Sequence, residues 1–302
     1  MDVIEEIGRL KRSRGAIILA HNYQLPEVQD IADYVGDSLG LSIQAAATDA
    51  RVIVFCGVTF MAETAKILSP GKTVLIPDPG AGCPMADMID AEELRAMKRE
   101  NPTAKVLCYV NTTAAVKAEC DLCCTSANAV SMVNEVLKDE KDIIFVPDRH
   151  LADHVAQTTG REFILWKGFC PTHARILPED ILRQKALHPA AVVMVHPECS
   201  RGVRALADKI LSTEAMCGFA RETQAHELIV ATEVGVLHKM RRASPDKVFY
   251  PATDKAVCPN MKLTTLEKIL WSLQEMQTEV VLDQDTIYKA RQCIRRMLEY
   301  RA

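Results

Sequence analysis

Three stretches of the chain align with one another, and a repeat of this kind constrains the fold more than any composition does. They are EEIGRLKRSRGAIILAHNYQ from Glu5 to Gln24, EELRAMKRENPTAKVLCYVN from Glu92 to Asn111, and EDILRQKALHPAAVVMVHPE from Glu179 to Glu198. Each opens on an acidic residue with helical periodicity and carries a short apolar run, AIILA, KVLCY or AVVMV. Such runs flanked by helical stretches read as buried parallel strands. The register continues downstream. ADYVGDS, CDLCCTS and LADKILST are followed by RVIVFCG, DIIFVPD and LIVATEVG, then by TVLIPD, EFILWK and KVFYPAT, and each copy reaches a Cys-Pro pair. His21, Tyr109 and His196 lie 88 and 87 residues apart, as do Ser38, Ser126 and Thr213, while Cys83, Cys170 and Cys258 lie 87 and 88 apart.

Each copy therefore predicts about four strands alternating with helices. The expected fold is α/β: three pseudo-symmetric repeats, each a three-layer αβα sandwich with a roughly four-stranded parallel sheet. The expected divisions are 1–83, 84–170 and 171–258, with 259–302 a helical extension that the sequence does not place. Units this small should pack on one another, and three can close around a pseudo-threefold axis. The chain has no Ser/Gly/Pro-rich linker, which fits close packing.

Charge and hydropathy remove several function classes. The 36 basic and 40 acidic residues give a net charge of −4, without the basic excess of a nucleic-acid partner. No apolar run approaches the ~18 residues of a membrane span. The N-terminal Met1-Asp2-Val3-Ile4-Glu5-Glu6 lacks the basic-then-apolar order of a signal peptide. The expectation is a cytoplasmic protein.

The chain has 11 cysteines. In a reducing compartment they point to metal or reactive chemistry rather than a disulfide framework, with simple packing the bland alternative for each one. Cys83, Cys170 and Cys258 stand apart because they recur in register, each after an expected last strand, where open α/β folds put their sites. Three thiolates meeting at an axis need a cation or cluster to hold them. Closed zinc sites take four ligands with local Cys-x2-Cys spacing; here the nearest fourth donor is His173. Three cysteines suit a [4Fe–4S] cluster with one open iron. Cys120-x-x-Cys123 and Cys124 sit where the other copies have ADYVGDS and ADKILS, and read as packing. Cys56, Cys108, Cys199, Cys217 and Cys293 have no partner spacing and read the same way.

The first strand of each copy ends in a polar triplet: His21-Asn22-Tyr23, Tyr109-Val110-Asn111 and His196-Pro197-Glu198. First and third members share one face of an extended chain. Ser38, Ser126 and Thr213 each precede a helical stretch. They read as N-caps, and their helix starts also suit carboxylate or phosphate oxygens. The residues alone thus predict a pocket for a small polyanion, with His, Tyr and Glu available for proton transfer and an open iron as Lewis acid.

The stretches AHNYQLPEVQDIADYVGDSLGL, GVTFMAETAKIL, CPMADM, YVNTTAAVKAECDLCCTSANAV, VPDRHLADHVA, HPEC and AVCPNMKLTTLEKI resemble the quinolinate synthase family over nearly the whole chain. The resemblance implies a three-domain pseudo-symmetric fold with one [4Fe–4S] cluster. It implies condensation of iminoaspartate with dihydroxyacetone phosphate to quinolinate, losing phosphate and two waters, in de novo NAD biosynthesis. An iminoaspartate-producing enzyme is then an expected partner. By this resemblance Cys83, Cys170 and Cys258 match the cluster ligands. His21, Ser38, Tyr109, Asn111, Ser126, His196, Glu198 and Thr213 match substrate-binding positions, and Tyr23 a tyrosine of proton transfer and pocket closure. Glu198 is the expected general base, with Tyr23 and His21 shuttling protons. Cys258-Pro259-Asn260-Met261 lacks the additional Cys-x-x-Cys that some members carry, so no thiol switch is expected there. The rival readings are another trefoil iron–sulfur enzyme, such as hydroxymethylbutenyl diphosphate reductase, which would need an electron donor, and a non-enzymatic iron–sulfur sensor, which would need no polar pocket.

Overall fold

The computed structural model describes residues 2–300. Twelve strands form three separate four-stranded sheets, all parallel. The first holds β1 (Ala16–His21), β2 (Tyr34–Gly36), β3 (Val52–Cys56) and β4 (Thr73–Leu75), in the order β2-β1-β3-β4. The second repeats that order with β5 (Lys105–Tyr109), β6 (Leu122–Cys124), β7 (Ile143–Val146) and β8 (Ile164–Leu165). The third repeats it again with β9 (Val192–Val195), β10 (Lys209–Ile210), β11 (Glu227–Ala231) and β12 (Val248–Pro251). The predicted αβα repeats are found.

The layering follows from strand periodicity. Ile18, Ala20, Val52 and Val54 join the helix Val3–Arg14 in one core, while Leu19, Ile53, Phe55 and Val74 join the helices Ser38–Ala47 and Thr59–Leu68 in another. Alternate residues thus leave opposite faces of the first sheet, and both faces are covered. The third sheet behaves alike: Val193, Val195 and Ile229 pack on the Pro178–Leu187 side, and Met194, Leu228 and Val230 on the Thr213–Glu222 and Val236–Ala243 side. Cores of the first and second sheets merge through Phe55, Val106, Phe145 and Met297.

The segments ADYVGDS, CDLCCTS and ADKILS contribute the edge strands β2, β6 and β10. One aspartate in each sets the register. Asp33 accepts the Ile18 N–H at 2.8 Å, Asp121 the Val106 N–H at 2.9 Å, and Asp208 the Val193 N–H at 2.8 Å. Each of these aspartates also donates its own N–H to the carbonyl of the same strand residue. A carboxylate thus finishes the ladder where the short edge strand begins.

The C-terminal stretch, unplaced by sequence, crosses from the first sheet to the second. The helix Leu266–Glu275 lies beside Val3–Arg14. Thr278 and Val280 then pair with Ile76 and Val74 at the edge of the first sheet. The helix Gln284–Glu299 packs on β6 and on the helices Thr59–Leu68 and Ala114–Lys117. Among the described residues no helix is long and apolar enough to cross a membrane.

Candidate active site

Each sheet reverses its strand order between its first and third strands, and open α/β sheets bind ligands beyond the carboxyl ends at such a switch point. The three polar triplets sit there. His21 and Tyr109 end β1 and β5, and His196 directly follows β9. One cavity gathers the three switch points. Among its lining residues are His21, Tyr23, Ser38, Tyr109, Asn111, Ser126, His196, Glu198 and Thr213, together with Cys83, Cys170 and Cys258. Every candidate named from the sequence therefore faces one space.

Ser38 and Thr213 differ from expectation in one respect. They are the first helical residues, and the caps are the preceding Asp37, which accepts the Gly40 N–H, and Ser212, which accepts the Ala215 N–H. Asn128 plays a related part by accepting the Thr125 N–H at 2.8 Å, closing the turn that carries Ser126. With another side chain doing the capping, the Ser38 and Thr213 hydroxyls are released from that duty. Thr213 Oγ1 accepts from Asn22 Nδ2 at 2.9 Å, tying the first triplet to the third sheet's helix.

His21 and His196 occupy equivalent positions and are held alike. The Tyr23 N–H donates to His21 Nδ1 at 3.2 Å, and the Glu198 N–H to His196 Nδ1 at 3.3 Å. Burial lowers both imidazoles to about 3. They are neutral, and with Nδ1 accepting, the proton sits on Nε2. Each can then donate to an anionic ligand.

A donor chain crosses the cavity wall. Tyr23 Oη and Thr232 Oγ1 lie 2.6 Å apart, Thr232 Oγ1 and His173 Nε2 2.9 Å, and His173 Nδ1 and Glu198 Oε2 2.8 Å. Tyr109 donates to Glu198 Oε1 at 2.5 Å. One assignment satisfies all groups: Tyr23 donates to Thr232, Thr232 to His173, and His173 to Glu198, so the series ends on the carboxylate. Burial alone would raise Glu198, but the imidazoles of His173 and His196 and the Tyr109 hydroxyl hold it below the usual carboxylate range. Burial, reinforced by the charge of Glu198, pushes the Tyr23 and Tyr109 phenols well up, so both stay protonated.

His173 and Thr232 are the residues that sequence reasoning missed as part of this chain. The sequence presents His173 only as a spare metal donor beside Cys170, and Thr232 has no polar counterpart in the other two copies. The usable signal for Thr232 is its place directly after β11, another strand end facing the switch point. Thr232→Val should remove the bridge between Tyr23 and His173 while keeping shape. Turnover is expected to fall on the order of 10- to 100-fold with little change in substrate KM, as for a group that relays rather than binds. Steady-state kinetics with unchanged KM and lowered kcat would be the signature; an unchanged kcat would remove Thr232 from the chain.

The cysteines of the Cys-Pro pairs share a local geometry. Each precedes a short helical turn, Ala86–Met88, His173–Arg175 or Asn260–Lys262. Backbone N–H groups of Met85 and Ala86 reach the Cys83 sulfur, that of His173 the Cys170 sulfur, and those of Met261 and Asn260 the Cys258 sulfur. Burial nevertheless raises all three thiols, Cys83 to about 12, so a bound cation is what would turn them into thiolates. The three sulfurs do not all come within 4.8 Å of one another, unlike the closest cysteine group among the described residues. That spread fits a polynuclear group better than a single ion, and N–H donors to sulfur suit an iron–sulfur cluster.

Cys108, Cys123 and Cys293, all expected from sequence to serve packing, form that closest group. The chain thus offers grouped thiols compatible with an iron–sulfur site, and holds a second group away from the cavity.

The family model described as Quinolinate synthetase A protein matches residues 5–299. The chain belongs to the quinolinate synthetase A family. A quinolinate synthase of Dehalococcoides mccartyi is 55% identical over 296 residues, covering 98% of this chain and 97% of the relative. That of Desulforudis audaxviator is 53% identical over 297 residues, 98% of each chain. Quinolinate synthase 1 of Methanosarcina acetivorans is 50% identical over 297 residues, 98% of this chain and 97% of its own. Membership in the quinolinate synthetase A family makes this an enzyme of NAD biosynthesis.

Proposed function

We propose that the cavity condenses iminoaspartate with dihydroxyacetone phosphate to quinolinate, releasing phosphate and two waters. The observation that carries this reading is the convergence of His21, Ser38, Tyr109, Asn111, Ser126, His196, Glu198 and Thr213 on one cavity with three cysteines. Cys83, Cys170 and Cys258 are the residues that would hold a [4Fe–4S] cluster. Such a cluster, with one iron lacking a protein ligand, supplies a Lewis acid for a substrate carboxylate, alkoxide or imine.

The chain's own residues supply the rest. The neutral imidazoles of His21 and His196 donate from Nε2 to carboxylate oxygens. The hydroxyls of Ser38, Ser126 and Thr213 surround the cavity as donors for carboxylate or phosphate. Asn111 Oδ1 is buried without a partner in the chain, and a buried amide left free in this way is ready for a ligand. Glu198 is the general base. Its negative charge receives a proton, and Tyr23, Thr232 and His173 donate in that order toward it, so a proton taken up at Tyr23 reaches the same carboxylate. Substrates and products balance without net oxidation, so no electron donor is consumed. An iminoaspartate-producing enzyme is the supplier this reaction requires.

The deciding experiment is chemical analysis and spectroscopy of protein purified without oxygen, with and without quinolinate. About four iron and four sulfide per chain are expected, with a spectrum that quinolinate perturbs and quinolinate formed without added reductant. Zinc in place of iron, or turnover that consumes electrons in proportion to product, would overturn the reading.

A further inference from the structure

Four of the chain's cysteines meet outside the cavity. Cys108 in β5 and Cys123 in β6 are register partners, so their side chains leave the second sheet on the same face. The helix Gln284–Glu299 packs on β6 and brings Cys293 against them. Cys123 Sγ lies 3.2 Å from Cys108 Sγ and 3.1 Å from Cys293 Sγ. All three sulfurs fall within 4.8 Å of one another, and all three residues are fully buried. Cys120, half-buried, stands beside this group and donates to the Val116 carbonyl at 3.1 Å.

This triangle has the size of a single-ion site. Metal–sulfur bonds of about 2.3 Å at a tetrahedral ion place sulfurs about 3.8 Å apart, between the short and long limits found here. A [4Fe–4S] cluster holds its cysteine sulfurs roughly 6 Å apart, which is too wide for this group. The sequence adds a second, independent pointer. Cys120-x-x-Cys123 has the local Cys-x2-Cys spacing of closed zinc sites, and the fold supplies the two remaining thiols from a neighbouring strand and a distant helix. The neighbourhood also holds a compensating charge. Four thiolates and one divalent cation leave two negative charges, and the adjacent Lys117, whose carbonyl lies 3.3 Å from Cys293 Sγ, has a fully buried ammonium.

We propose that Cys108, Cys120, Cys123 and Cys293 form a closed structural site for one zinc ion, separate from the cavity. Cys120 turns from the Val116 carbonyl to complete the tetrahedron. Each thiol releases its proton to solvent as its sulfur coordinates, and no electrons are exchanged. The ion clamps the last helix onto the second sheet by joining Cys123 to a residue 170 positions away, so a long loop is closed in the native state. None of the four lines the cavity, so the site stands or falls independently of the reaction proposed above.

The test uses the full chain with reduced thiols, kept from oxygen, its iron content measured first. It is titrated with zinc chloride against a chromogenic chelator, and with cobalt(II) for spectra. One zinc per chain beyond any iron is expected, with thiolate-to-cobalt charge-transfer absorption and a higher Tm in zinc. Cys83→Ala, which removes a cavity thiol, should bind that zinc equally well. Cys293→Ser should bind it at least about 100-fold more weakly, and the milder rim substitution Cys120→Ser about 10-fold more weakly. A reduced wild-type chain that binds no zinc would overturn the proposal. So would zinc whose amount falls in Cys83→Ala and holds in Cys293→Ser or Cys120→Ser.

Discussion

Glu198→Gln is expected to abolish turnover by about 10³-fold or more while leaving iron content and visible absorbance unchanged. The size follows from what the carboxylate does. General base catalysis contributes roughly 10² to 10⁴, and this base also terminates two donor series, from Tyr109 at Oε1 and from His173 at Oε2. A glutamine amide presents one acceptor and one donor to two donors. One of the two contacts becomes donor against donor, so either Tyr109 or the His173 series loses its acceptor in a buried site. The variant also removes the charge that the surrounding imidazoles stabilise. The cavity thiols are untouched, which separates chemistry from cluster assembly. Quinolinate should still perturb the spectrum within about tenfold of the wild-type affinity, since the His21 and His196 donors remain. Activity equal to wild type would strike Glu198 from the catalytic residues.

The repeat made the architecture legible because each copy must satisfy the same physics. A central strand covered on both faces has to be apolar throughout, so AIILA, KVLCY and AVVMV stand out without alignment to anything else. The strand-end triplets were legible for a related reason: polar residues directly after such runs have few structural uses, and three in register have fewer. The edge strands β2, β6 and β10 were not, because two or three residues of strand carry too little periodicity to show. Their signal was the aspartate before them, recurring at Asp33, Asp121 and Asp208, whose role is hydrogen bonding rather than burial.

Within the site, the limit was threefold thinking itself. His173 has no counterpart after Cys83 or Cys258, and Thr232 follows a strand whose equivalents continue as Gly57 and Pro147. Residues that break the repeat are invisible to a search for what recurs, yet catalysis needs asymmetry that a threefold scaffold does not provide. The cap positions failed by one residue for a local reason. Asp37-Ser38 and Ser212-Thr213 each offer two competent caps in succession, and only geometry chooses between them. The second cysteine group joins Cys123 to Cys293 across a fold contact that no local spacing encodes.

Replacing Cys83 with alanine should cost the iron: from about four per chain to less than one, with quinolinate formation falling at least about 10³-fold. The argument rests on ligand count. Three thiols are the whole protein contribution proposed for the cluster, so loss of one leaves two sulfurs too few to retain a cluster through purification. Cys170→Ala and Cys258→Ala should behave alike, because the three occupy equivalent turns lining one cavity. Cys56→Ala is the informative contrast. Cys56 is fully buried at the end of β3 and belongs to the apolar core beside Ile18 and Val54. Its replacement removes one sulfur from packing and should lower stability by about 1 kcal/mol, with iron and activity kept. Iron analysis of the four variants therefore separates ligation from burial. Full iron in Cys83→Ala would withdraw that residue from the cluster, and iron lost equally from Cys56→Ala would mean that folding rather than ligation governs cluster content.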